Sequence, residues 1–417
     1  LFGLNKKSDM KLLFLTMSKL NSLQGRGIYR DLLNYFKKQG HEIFVVSPNE
    51  RRFKSKTILH KENGVSILNV KTLNLQKTTI IEKGFGQLLI EHQYLNAIKK
   101  YFSDVKFDLI LYSTPPITFT KVINYIKMRD NAYSYLLLKD IFPQNAIDMN
   151  MMKEQGFLHR MFLKKEKNLY NISDTIGCMS EANKQYVINH NPDVNPSKVE
   201  VNPNTITPAP IFYTLEEKDA IRNDYGVPLD KKVFMYGGNL GIPQGVDFLL
   251  NMIAKSKEEK AFFLVVGSGT QFEKVENWFK MNKPTNAKLL SGLSKKNYDK
   301  LLAVCDVGMI FLHQNFTIPN FPSRLLSYLE MRMPVIAATD KNTDIGTVIE
   351  NASCGNWVES GDINTMHKTI FKICENEELF RKMQDNSWKL LVNEYTVDKS
   401  YNLIKEKINT KKGLNNV

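Results

Sequence analysis

One stretch constrains this chain more than any other: an apolar strand that runs directly into a glycine-rich turn and then into a helix. Val233-Phe234-Met235-Tyr236 supplies the strand, glycines 237, 238, 241 and 245 the turn, and Val246, Leu249, Leu250 and Ile253 the helical spacing. Glycine lets the backbone turn sharply and approach a ligand without Cβ hindrance. Free N–H groups and the helix dipole then point at one spot, which makes an anion site. The spacing is neither the dinucleotide fingerprint nor a Walker loop. At this point a plain strand–helix turn and a phosphate cradle both remain open.

The same strand–helix unit recurs along the chain. Apolar strands are predicted at 11–17, 42–47, 65–70, 108–113, 133–138 and 175–179, with helices at 27–39, 86–102, 117–128 and 158–170 between them. Residues 202–215 contain three prolines and no periodicity, so they read as a linker. The alternation restarts with strands at 233–236, 262–267, 287–290, 307–312 and 334–338. Helices near 245–256, 271–281, 297–304, 323–331 and 344–350 separate them, and helices over 363–375 and 377–393 follow. This order predicts an α/β protein with two parallel-sheet, Rossmann-like domains, 10–205 and 206–394, facing a central cleft. A last segment, 395–417, carries an amphipathic helix expected to return to the first domain, and then a polar tail. Leu1 to Asp9 is polar and unpatterned and is set aside as a lead.

Charge separates the two halves. The chain has a formal net charge of +14. Residues 1–200 hold 30 Lys/Arg against 18 Asp/Glu, and the remainder 27 against 25. A one-sided basic domain suggests an anionic partner: nucleic acid, a membrane surface or a phosphorylated substrate. Solvated lysines are the bland reading. No apolar run approaches the roughly 18 residues of a membrane span. Cys178, Cys305, Cys354 and Cys374 lie far apart, without zinc spacing, and read as buried free thiols. The seven histidines show no ligand spacing; His41 reads as structural.

Several smaller features carry chemistry. Between the first strand and helix, Asn21 to Tyr29 forms a second glycine-rich turn. Gly25 and Gly27 there expose backbone N–H groups to a ligand, and Arg26 is placed to pair with a phosphate. A structural turn is the alternative. Gly267-Ser268-Gly269 and Ser291-Gly292 end two strands of the second half, where a base or ribose is often held. In the run 318–336, Ser323 is a candidate N-cap and Arg324 stands in the first helical turn. A cation there opposes the helix dipole unless an anion is bound in front of it. Lys139-Asp140 ends a strand of the first half and is the best charged pair for catalysis, with a capping aspartate before a turn as the other reading. Glu181 is a weaker candidate.

Gly-Gly-Asn-Leu-Gly-x-x-Gln-Gly at 237–245, Pro-Ser-Arg-Leu-Leu-x-Tyr-Leu at 322–329, Pro-Val-Ile-Ala at 334–337 and Gly-x-x-Val-x-x-Gly-Asp at 355–362 together resemble retaining glycosyltransferases of family 4. Gly-His-Glu at 40–42 and Asp-Ile-Phe-Pro at 140–143 extend the resemblance over residues 10 to about 395. Within that family the chain looks most like the bacterial capsule and O-antigen branch that handles N-acetyl-fucosamine-type sugars. The resemblance implies the GT-B fold, a nucleotide donor held mainly by the second domain, and no metal. It places Asn239 and Gln244 at donor-diphosphate positions, with Gly238 in the same turn, and Arg324 at the place of a lysine. One departure stands out: the ribose-binding glutamate of the family falls on Ser327, and Glu330, three residues on, is the candidate substitute.

The reading is a cytoplasmic enzyme, peripheral on the inner membrane face. It is expected to move an N-acetylated sugar from a UDP-sugar to a polyprenyl-diphosphate-linked saccharide. The resemblance implies front-face attack, with the leaving diphosphate taking the acceptor proton; Lys139, Asp140 and Arg324 are the candidate catalytic groups. Basic amphipathic stretches at 149–170 and 80–102 are expected to dock on anionic lipid, with simple packing on the sheet as the alternative. No cofactor and no nucleic-acid partner are expected. A nucleotide-sugar 2-epimerase of the same fold and a nucleic-acid-binding protein are the alternatives.

Overall fold

The computed structural model describes residues 10–75, 78 and 80–414. The lead Leu1–Asp9 and residues 415–417 of the tail lie outside them. The chain divides into two compact units, one holding residues up to Ile206 together with Val397 onward, the other Thr207–Thr396.

Unit 1 runs β1 (Lys11–Leu15), α1 (Ile28–Lys38), β2 (Glu42–Glu50), β3 (Ile58–Glu62), β4 (Val65–Thr72), α2 (Ile80–Tyr101), β5 (Leu109–Ser113), α3 (Thr120–Asp130), β6 (Tyr133–Leu138), α4 (Gln144–Asp148), α5 (Phe157–Ile172), β7 (Thr175–Cys178), α6 (Glu181–His190) and β8 (Val199–Val201). The sheet order is β3-β4-β2-β1-β5-β6-β7-β8. Every neighbouring pair is parallel except β3–β4, a hairpin closed by Asn63-Gly64 with both residues at positive φ. The central strands are apolar runs because helices cover both faces of a parallel sheet. On α1, Leu32, Leu33 and Phe36 form the buried stripe.

The end of the chain completes this unit. In α15 (Val397–Leu414), Tyr401, Ile404 and Ile408 join the core formed by β1, α1 and β2. The Tyr401 ring meets Phe36 edge-on at 4.8 Å. Its hydroxyl lies 3.0 Å from His41 Nε2, and His41 Nδ1 accepts the Met10 N–H. His41 is thus a buried structural residue.

Unit 2 begins with α7 (Leu215–Tyr225) and alternates β9 (Lys232–Asn239), α8 (Val246–Lys255), β10 (Ala261–Ser268), α9 (Phe272–Asn282), β11 (Ala287–Ser291), α10 (Lys295–Leu302), β12 (Val307–Phe311), α11 (Arg324–Glu330), β13 (Val335–Thr339), α12 (Ile345–Asn351) and β14 (Gly355–Glu359), before α13 (Ile363–Glu375) and α14 (Glu377–Glu394). Its six parallel strands are ordered β11-β10-β9-β12-β13-β14. That is a doubly wound sheet whose strand order reverses between β9 and β12. In such sheets ligands bind outside the carboxyl ends of the strands at the point of reversal. The glycine-rich turn after β9 and the long loop leading to α11 both begin there.

Candidate active site

The turn after β9 is glycine-rich first of all because backbone meets backbone. β9 and β10 stay paired through Gly267 opposite Gly238 and Ser268 opposite Asn239. A Cβ on Gly267 would stand 2.1 Å from the Gly238 carbonyl oxygen, and one on Gly269 2.4 Å from that of Leu240. Gly267 is therefore required by strand approach, whatever else binds nearby. Replacing Gly267 by alanine should cost unit 2 about 2–3 kcal/mol, the upper part of the usual range for overpacking, since neither strand end can yield. A denaturant midpoint equal to that of the unchanged protein would refute this. On the other side, Gly245 at φ +55 lies against the backbone of Leu312 and His313. The Pro243 carbonyl accepts the His313 N–H, so the turn is anchored to the end of β12.

Asn239 and Gln244 brace this turn. The Gln244 side-chain oxygen accepts from Asn239 Nδ2 at 2.7 Å and from the Gly241 N–H at 3.1 Å. The sequence reading set both amides on a diphosphate; here they bind each other across the loop. Ser268 is exposed at the end of β10, and a Cβ on Gly292 would sit 3.4 Å from its hydroxyl.

Arg324 opens α11 beneath the same turn. Its guanidinium lies over the Tyr236 ring, 4.6 Å from the centroid. Nη2 lies 3.3 Å from the point a Cβ on Gly238 would take, which favours glycine there as much as its φ of +130 does. Nη1 is buried and has no hydrogen-bond partner. Burial opposes the charge, but the phenols of Tyr236 and Tyr328 outweigh it and hold the guanidinium above its ordinary value. The Tyr328 hydroxyl, pushed up to about 12 by burial, is tied to the sheet, meeting the carbonyls of Met235 and Met309 and accepting the Gly237 N–H. A buried, permanently charged donor with an unmade bond is costly unless an anion completes it.

Other predicted residues fall out differently. Ser323 precedes α11, but its hydroxyl makes no cap bond, because its own backbone is already helical. Ser327 is half-buried on α11. Glu330 is a correction: it is 4% exposed and its carboxylate accepts the Ala209 N–H at 2.8 Å. Six residues beyond Arg324, it points about 120° away around the helix, so it anchors the linker rather than standing in for a ribose ligand.

In unit 1 the turn before α1 is self-capped. Gly27 donates its N–H to Asp31 Oδ1 at 3.0 Å, which puts a carboxylate where an anion was expected. Gly25, at φ +78, is exposed, and a Cβ there would meet nothing within 4 Å. At the ends of β5 and β6, the Thr114 hydroxyl accepts from the N–H groups of Lys139 and Asp140 and donates to the Asp140 carbonyl. This stitch sets both side chains at the carboxyl edge of the sheet. Asn145 Nδ2 reaches both oxygens of Asp140 at 2.8 and 2.7 Å. Burial lowers the Lys139 amine to about 7, with the nearby Cys178 opposing the shift. Glu166, absent from the sequence reading, is raised to about 7 by burial, with the charge of Asp140 adding to the shift. Glu181 is exposed and bound to Lys184 and Gln185 of its own helix. Among the described residues, no group of three or more His, Cys, Asp or Glu is placed to hold a metal ion.

Comparison with known proteins shows what the chain is similar to. Residues 217–389 match the model of the glycosyl transferases group 1. Over 306 residues, 72% of this chain and 74% of the relative, the sequence is 23% identical to the probable glycosyltransferase WbjE of Pseudomonas aeruginosa. A shorter match, 24% over 135 residues and 32% of either chain, is to the putative colanic acid biosynthesis glycosyl transferase WcaI of Escherichia coli K12. Among solved structures, HepE of Anabaena in complex with UDP superposes with a TM-score of 0.69 at 15% identity, covering 96% of this chain and 100% of that one.

Proposed function

We propose, from the premise that this chain is a glycosyltransferase of the group 1, GT-B type, that it moves an N-acetylated sugar from a UDP-sugar to a polyprenyl-diphosphate-linked saccharide, as a step in building a surface polysaccharide. The carrying observation is the buried, unpartnered Nη1 of Arg324 at the reversal point of the unit 2 sheet. Breaking the sugar–diphosphate bond leaves negative charge on the departing oxygen. A guanidinium already desolvated and held by aromatic rings stabilises that charge without reorganising. HepE was solved with UDP and also with UDP-glucose, which supports a nucleotide-sugar donor. The name of WcaI, a putative colanic acid biosynthesis glycosyl transferase, supports a polysaccharide product.

Unit 1 takes the acceptor in this reading. Lys139, titrating near neutrality, and Asp140, fixed by Thr114 and Asn145, are its polar groups at the carboxyl edge. The acceptor hydroxyl attacks on the face the diphosphate leaves, and its proton passes to the leaving oxygen, so the anomeric configuration is kept. No metal is needed, because Arg324 supplies the positive charge.

A panel of UDP-sugars, assayed for UDP release with and without lipid-linked acceptor, tests the assignment. Release is expected with one N-acetylated donor, dependent on acceptor and unchanged by EDTA. Interconversion of a donor with its 2-epimer, with no UDP released, would make the chain an epimerase instead. Loss of turnover in EDTA restored by Mg²⁺ would overturn the metal-free mechanism.

The acceptor lipid implies docking on a bilayer. No helix among the described residues is long and apolar enough to cross one, so docking is peripheral. In α5, Phe162, Leu169 and Tyr170 are buried, whereas Phe157 and Leu158 are exposed beside Arg160 and Lys164, with Met151 and Lys153 just before them. On α2, Ile90, Tyr94 and Ile98 are buried, while Phe85 and Leu89 are exposed and Lys99 and Lys100 are solvated. The side chains of Ile80, Ile81 and Lys83 lie outside the described residues. Both helices thus pack on the sheet and keep an apolar, basic outer side, a pattern that suits the lipid interface. Co-sedimentation with anionic vesicles should be clear at low salt and fade as salt rises. Absence of binding at low salt would remove the membrane from this reading.

A further inference from the structure

Tyr298 stands beside Arg324 although the two are far apart in sequence. It lies on α10, and its hydroxyl occupies the place of a missing side chain: a Cβ on Gly237 would be 2.0 Å from Tyr298 Oη and 2.7 Å from two ring carbons. The next residue, Gly238, is the one that faces the Arg324 guanidinium. Two successive glycines of the β9 turn are therefore covered by a phenol and a guanidinium. Each group senses the other, the arginine charge favouring ionisation of the phenol and the phenol favouring the arginine charge. Burial nonetheless raises the Tyr298 hydroxyl well above its ordinary value, so it keeps its proton and remains a donor.

Each of the three tyrosines near Arg324 has a different occupation. Tyr236 donates to the Asn239 carbonyl at 2.6 Å. Tyr328 is bound to the sheet backbone. Among the described residues, nothing accepts a hydrogen bond from Tyr298. Two unengaged donors, Tyr298 Oη and Arg324 Nη1, thus lie against successive glycines, Gly237 and Gly238, at the end of β9. We propose that Tyr298 is a direct ligand of the donor diphosphate, its hydroxyl and the Arg324 guanidinium forming a two-donor seat for phosphate oxygens. This rests on the nucleotide-sugar reading above. It also explains why position 237 is glycine: any side chain there displaces the phenol from the seat.

The test uses the full chain and three probes, UDP, inorganic pyrophosphate and uridine, measured by calorimetry. Tyr298→Phe keeps the ring against Gly237 and removes only the hydroxyl. It should weaken UDP and pyrophosphate roughly 10- to 100-fold, the scale of one hydrogen bond to a charged group, and leave uridine unchanged. Gly237→Ala pushes the phenol aside, at the free end of a flexible side chain, and should give a loss of similar size without unfolding. Combined with Tyr298→Phe, it should add little further loss, because both changes remove the same contact. Unchanged affinity for both anions in Tyr298→Phe, with Arg324→Ala still weakening them, would overturn this inference alone. Failure of the unaltered protein to bind either anion would remove the nucleotide-sugar reading with it. Equal weakening of uridine would show that Tyr298 acts on the nucleoside or the fold and not on phosphate.

Discussion

Replacing Arg324 by alanine is expected to weaken UDP binding about 30-fold, roughly 2 kcal/mol, the scale of a charge-assisted hydrogen bond, and to abolish most transfer. The structure adds a second expectation that separates loss of function from loss of fold. Nη1 is buried without a hydrogen-bond partner, so the free protein bears an unsatisfied buried donor that alanine removes. Thermal stability without ligand should therefore hold or rise, even though the side chain also covers Tyr236. The stabilisation that UDP gives the unaltered protein should shrink in the variant, since ligand stabilisation follows affinity. Arg324→Lys should recover part of the binding as a point charge but not the planar contact with Tyr236. Calorimetry showing full UDP affinity in Arg324→Ala would remove this residue from the site.

Arg324 was legible because it is a local conflict: a cation in the first turn of a helix behind a proline-containing loop invites an anion. Its tyrosine surroundings were not, since Tyr236 and Tyr298 lie 88 and 26 residues earlier on other elements. Only the sheet order brings β9 and β12 side by side. Glu330 shows the reverse failure. Helical spacing set it near Ser327, but position around the helix turned it to Ala209, and a single sequence contains no signal for that partner.

The elements divide the same way. Central strands were readable because both faces are buried and their residues are apolar throughout. β3 was missed because it is an edge strand, with Ile58 and Leu59 exposed and no apolar run, although Asn63-Gly64 was an available hairpin signal. α7 has a single buried residue, Ile221, so periodicity could not find it. Its capping box, Thr214 with Glu217, was the readable mark. α6 is similar, with Ser180 accepting from the Asn183 N–H at its start. The β14 strand, with Asn356 and Trp357 only half-buried, lacks the apolar continuity of its neighbours.

Lys139→Met should make unit 1 more stable and the enzyme inactive. Burial lowers the amine from its ordinary 10.5 to about 7. Between those values the unfolded chain binds a proton that the native chain does not, so the stability of the native protein must rise with pH across that window. The penalty is largest at pH 7 and below and has faded by about pH 10. Methionine has a similar length and no charge to desolvate. After allowance for the partial exposure of Lys139, the variant should gain about 2 kcal/mol at pH 7, several degrees in melting temperature, and almost nothing at pH 10. A stabilising substitution that destroys turnover would mean that the amine is kept at a cost in stability because the reaction uses it. Gain of stability with unchanged turnover would take Lys139 out of the site and leave Asp140 as the polar group of unit 1. Loss of stability at pH 7 would mean that the amine is satisfied in the native state and that burial does not govern its titration.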